Sequence, residues 1–274
     1  DPLYAYQAWK RKREPDLPAL GKRLHRESTG AFLVALVQFA MTPAQQSYAL
    51  GFLTHYAADC TMHPYVAAMC RKGMPYSRNQ GHIRMEASMD STLYYRDYKT
   101  YQVPVHAGTP VLIGEDLAQV VLLLREALLH VYGMDVPVVA LSDTFPHNLR
   151  VRTFLTTRNP IKKMVAGWVE TRVPGPKGRN AIRGRMQPAP PLERLPTNWS
   201  NPFDGVTHNL TMEEIMVEAE EAGALFISAA MRLWLGEAEV DELAAMLGSL
   251  DYYTGQPEGA VAIEKSDVPY FISK

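Results

Sequence analysis

The chain has 274 residues, 47% of them hydrophobic and 21% charged, enough to bury a substantial core as one large or two small domains. Its formal net charge of −1 removes any global electrostatic case for nucleic acid or an anionic membrane, although bound cations would supply positive field locally. Two cysteines, Cys60 and Cys70, are too few for a disulfide framework, and the longest apolar run, 31–41 interrupted by Gln38, is much shorter than the about 20 residues a membrane span requires.

The opening is rich in aromatics (Tyr4, Tyr6, Trp9), then carries the basic run 10–13 and two prolines, Pro15 and Pro18; it reads as irregular chain held by its rings. The numbering begins at Asp1 without an initiator Met, so an upstream segment is expected and no targeting signal can be read; of the possible locations the cytoplasm is favoured. A helix is predicted over 28–41, with His25 just ahead of its start, where a hydrogen bond to a free backbone group is the plain role. Thr42-Pro43-Ala44-Gln45 reads as N-cap, first-turn Pro and capping-box Gln of the next helix. Tyr48, Leu50, Phe52, Leu53 and Tyr56 make that helix apolar around most of its circumference, and therefore central. Pro64 is expected to kink it or to end it at His63.

The central helix carries His55, Asp59 and His63 at i, i+4 and i+8, confined to an arc of about 80° on one face. The two histidines lie about 12 Å apart along the axis with Asp59 about 6 Å from each, a spacing for two ions or more with the carboxylate between them. A buried helix must pair or ligate such groups, because an uncompensated buried carboxylate costs several kcal/mol. On the following helix, 82–98, His82, Glu86 and Asp90 repeat the spacing; Asp90 either supports a ligand histidine or simply faces solvent. Imidazole nitrogen and carboxylate oxygen in these patterns suit zinc. Histidines that merely hydrogen-bond are the plain alternative, and five donors within 32 positions weigh against it.

Further helices are predicted over 115–132, closed by Gly133, over 142–157 and over 159–170. The stretch 174–196 holds six prolines, three glycines and five basic residues in 23 positions and reads as a long surface loop. A capping box at Thr211 opens a long helix to Leu235, closed by Gly236; a short helix spans 239–250, and the tail from Asp251 is irregular. No alternating run of convincing strand length occurs, so the fold class is all-α.

The segment Gly51-Phe52-Leu53-Thr54-His55-Tyr56-Ala57-Ala58-Asp59 with His63-Pro64, followed by His82 and Glu86 four apart, resembles the zinc-dependent phospholipase C family. That family shares its fold with fungal single-strand nucleases. Asp1-Pro2 resembles its aspartate-containing turn, Leu24-His25-Arg26-Glu27 its next histidine contribution, and Asn198-Trp199 with the Thr211 helix the tail of bacterial members. The resemblance implies one all-α domain over 1–274, a multi-helix bundle around a metal cluster. It implies one zinc held by Asp1, His25, His55 and Asp59 and another by His63, His82 and Glu86. A third would share Asp59 and needs chain upstream of Asp1. The interval from Asp59 to His63 is shorter than in the secreted phospholipases, so the second site is expected to be displaced.

The activity this resemblance implies is phosphodiester hydrolysis, in which metal charge activates a water and Asp1 accepts its proton, with phospholipid as the leading substrate. Under the alternative of a single-strand nuclease, nucleic acid is the substrate and Tyr4, Tyr6, Trp9 and Tyr65 are the candidate stacking residues. A non-catalytic metal-binding protein is the remaining alternative.

Overall fold

The computed structural model describes residues 3, 15–78, 80–107, 109, 111–170, 172 and 182–260. Asp1, Tyr4, Tyr6 and Trp9, and residues 174–181 of the proline-rich stretch, lie outside them. Among the described residues are nine α-helices in chain order: α1 (Leu17–Leu24), α2 (Thr29–Phe39), α3 (Pro43–Met69), α4 (Gly81–Tyr98), α5 (Gly114–Tyr132), α6 (Val138–Leu155), α7 (Pro160–Glu170), α8 (Met212–Trp234) and α9 (Val240–Leu247). A two-stranded antiparallel ribbon, β1 (Asn198–Ser200) with β2 (Thr207–Asn209), pairs Trp199 with His208; three residues a strand is too short for alternation to register in the sequence. The class is all-α. Among the described residues no helix is long and apolar enough to cross a membrane.

The chain divides into two compact units, the first from Asp1–Pro64, Val111–Asn148 and Met212–Ala262, the second from Tyr65–Pro110, Leu149–Thr211 and Ile263–Lys274. In the first unit Phe32, Leu33 and Leu36 of α2, Leu53 and Tyr56 of α3, Leu124 and Leu128 of α5, and Leu243 and Leu247 of α9 bury together. α2 packs against α5 and α9, and α8 against α9. In the second unit the buried side chains include Tyr65, Met69, Tyr76, Met85 and Trp199.

The central helix starts as its sequence dictates. Gln45 N donates to Thr42 Oγ1 at 3.3 Å and Thr42 N to Gln45 Oε1 at 3.2 Å, the reciprocal capping box. It does not end at His63. α3 continues through Pro64 to Met69, so of the expected kink or end it is the end that is corrected. Pro64 has no N–H for the Cys60 carbonyl one turn back. The turn 251–255 occupies that side instead: Gly255, at φ +64°, comes so close that a Cβ there would collide with the Cys60 carbonyl. A segment almost 200 residues away thus packs against this turn of the helix.

Two other boundaries differ from expectation. α1 falls in a stretch read as irregular; Asp16 Oδ1 accepts from Ala19 N at 3.1 Å, with proline inside the first turn. His25 therefore closes α1 at its C-terminal end instead of merely preceding a helix start. α6 begins at Val138, four residues before the expected Ser142, and holds Pro146 inside it.

α2 is capped from a distance. Ser28 sits in the left-handed region at φ 53° and its side chain makes no cap. The carboxylate of Glu258 does so, accepting from Ser28 N at 2.8 Å and Thr29 N at 2.5 Å, and Ser249 Oγ donates to it at 2.6 Å. Residues 251–260 of the tail, without helix as expected, form turns from which Glu258 closes the core helix.

Candidate metal centre

His25, at the end of α1, and His55 and Asp59, one turn apart on α3, meet within the first unit. One ligand atom from each lies within 4.8 Å of the others. His25 is buried, and its Nδ1 lies 2.6 Å from the Gly21 carbonyl. A carbonyl can only accept, so Nδ1 carries the proton and Nε2 presents a lone pair. Burial pushes the His25 pKa down from 6.5 to about 3, even though the Gly21 bond opposes that shift, so the ring stays neutral.

His25 Nε2 faces His55 Nε2 at 3.2 Å. Two zinc–nitrogen bonds of about 2.0–2.1 Å at a tetrahedral angle hold their nitrogens about 3.3–3.4 Å apart, so the two rings already stand at the bite of one ion. His55 Nδ1 lies 3.5 Å from Asp59 Oδ1, and the other oxygen, Oδ2, lies 3.7 Å from His63 Nδ1. The carboxylate is therefore central to the row, as its spacing requires.

His63 is buried near the end of the first unit and its Nδ1 lies 2.8 Å from the Tyr252 carbonyl, which fixes the same tautomer as in His25. In the second unit, His82 Nε2 and Glu86 Oε1 form a pair at 2.9 Å on α4. Asp90, one turn on, is exposed by surface area, yet enclosure of its carboxyl pushes its pKa up to about 6. Asp1, the expected additional ligand and proton acceptor, lies outside the described residues. Tyr65 is buried against Trp199, ring centroids 5.2 Å apart, and is a core residue of its unit instead of a stacking platform for bases.

The residue that sequence reasoning missed is Tyr252. Its N–H donates to the His25 carbonyl at 2.9 Å while its own carbonyl holds His63. Its ring lies edge-on to His25, centroids 4.6 Å apart, and to His55 at 5.5 Å. Tyr253 lies beside His63 at 5.4 Å, with the Arg26 guanidinium 4.9 Å from its ring. The turn following α9 is thus one wall of the site.

The donor set and its preparation fit zinc: imidazoles of which His25 and His63 have Nδ1 tied to backbone carbonyls, with the Asp59 carboxylate in the row. Residues 13–117 match the family model for zinc dependent phospholipase C. Over those residues the chain is similar to the zinc-dependent phospholipase C family. The match takes in His25, His55, Asp59, His63, His82 and Glu86, whereas the wall at Tyr252 and Tyr253 lies beyond it. No curated protein and no solved structure matches the chain.

Proposed function

We propose that the protein is a zinc-dependent phosphodiester hydrolase of phospholipase C type, acting on a phospholipid. The observation that carries this reading is the facing of His25 Nε2 and His55 Nε2 at 3.2 Å beside Asp59, within the segment that matches the family. His25, His55 and Asp59 would hold one ion, with Asp1 added as the resemblance implies. The second set, His63 with His82 and Glu86, is carried over from the resemblance.

When bound, zinc supplies positive charge to the non-bridging phosphate oxygens and acidifies water. The chain's own contribution is preorganisation. Gly21 keeps the His25 proton on Nδ1, so no proton has to leave that ring before it ligates. His55 Nε2 points at the same place as its neighbour, and Asp59 lies beside the pair. Asp1 is assigned to accept the proton of the attacking water. The products are an alcohol and a phosphomonoester.

Assay of full-length, zinc-loaded protein on a phosphatidylcholine analogue, on single-stranded DNA and with a His55→Ala control tests the reading. The expected result is phosphomonoester release from the lipid, lowered at least about a hundredfold in the control. Cleavage of DNA alone would replace it with the nuclease, and no cleavage above the control would leave a metal-binding protein.

A further inference from the structure

The net charge of −1 hides a strong local imbalance: residues 144–192 contain ten Lys or Arg and a single acidic residue, Glu170. α7 runs through this stretch. Ile161, Met164, Val165 and Trp168, at i, i+3, i+4 and i+7, form one apolar stripe, which on an ordinary surface helix faces the core. Here the stripe faces outward, with Ile161 64%, Met164 67%, Val165 50% and Trp168 57% exposed.

The opposite face is small and polar, and it is the one that packs. Ala166 and Glu170 are buried, and Gly167 lies against the Arg183 side chain. The Glu170 carboxylate accepts the backbone N–H groups of Ile182 and Arg183, while Lys163 Nζ donates to the Pro188 carbonyl at 2.7 Å. The orientation is thus fixed by polar anchors whose loss would leave a buried carboxylate uncompensated.

Cations border the stripe. Lys162 Nζ stands 4.5 Å from the ring of Phe154, itself 51% exposed, and the Arg172 guanidinium 3.6 Å from that of Trp168. Aliphatic and aromatic side chains rimmed by one sign of charge suit a helix lying in a lipid interface, with Trp at headgroup depth and Lys and Arg on anionic headgroups. A second copy of the chain suits it less, because pairing two such faces would bring like charges together.

We propose that α7 docks the protein on an anionic phospholipid bilayer, its stripe seated at the boundary of headgroups and acyl chains. The docking goes beyond the hydrolase reading and stands without it.

Sedimentation of the full chain with vesicles of phosphatidylcholine, with and without phosphatidylglycerol, tests this at low and high salt. The wild type is expected to bind the anionic vesicles and release as salt rises. Lys162→Gln and Arg172→Gln should each weaken binding about fivefold, and the double variant Met164→Asp/Trp168→Asp at least about tenfold, with the unfolding midpoint unchanged. Trp168→Phe should bind but lose the blue shift of tryptophan emission on vesicles. Absence of wild-type binding, equal binding by the double variant, salt-independent binding, or a wild-type dimer abolished by the double variant would each overturn the proposal.

Discussion

At the scale of single residues, the centre depends on where protons sit. His25 is neutral because burial opposes its charge, with a pKa near 3 in place of 6.5. The unfolded chain binds the proton that the folded chain refuses between those values. This ring therefore withdraws stability as pH falls through 6.5 toward about 3, and its pH dependence fades once pH is well above 6.5. In an imidazole NMR titration of the metal-free protein, the His25 signals should stay flat from about pH 8 to about pH 5. A midpoint near 6.5 would contradict the buried, carbonyl-anchored geometry. His55, Asp59 and His63 were legible in the sequence because helical spacing alone places them on one face. Tyr252 was not, because it acts partly through its N–H and carbonyl, which every non-proline residue has, and no side-chain pattern marks it.

At the scale of elements, helix starts written in local chemistry read correctly, as at Thr42 and Gln45. The errors arose where a distant segment decides. Pro64 does not end α3, and the turn at Gly255 packs on the carbonyl it leaves without a helical partner. Nor does α2 need a local cap, because Glu258 supplies one from 230 positions downstream. Partial burial alone would raise the Glu258 pKa, but hydrogen bonds from Ser249, Thr29 and Ser28 outweigh it and hold the carboxyl below its usual range. Its contribution is therefore present above the unfolded carboxylate pKa and lost as acid protonates the folded group. Glu258→Gln should lower stability at neutral pH by about 1–2 kcal/mol in urea unfolding, and the gap from wild type should narrow in acid. An unchanged midpoint would mean the tail does not cap α2.

At the scale of the whole molecule, the all-α class followed from the absence of strand alternation and the strength of the helical periods. The short ribbon at Asn198–Ser200 and Thr207–Asn209 has too few residues to have changed that reading. The outward stripe of α7 escaped notice because periodicity reports that a helix has an apolar face, not which way it turns. Metal should couple to the stability of the fold, since the folded chain presents a prepared site and the unfolded chain does not. Free zinc at about a hundred times its dissociation constant should stabilise the protein by about 2.7 kcal/mol, seen as a rise in the thermal midpoint that His55→Ala loses.

Anomalous diffraction at the zinc edge from crystals of the full-length, zinc-loaded protein puts the central claim to its most direct test. A peak is expected about 2.0–2.1 Å from both His25 Nε2 and His55 Nε2, with Asp59 in the same coordination sphere. A zinc-loaded protein whose peaks lie elsewhere, with the two imidazoles still bonded to each other at 3.2 Å, would contradict it.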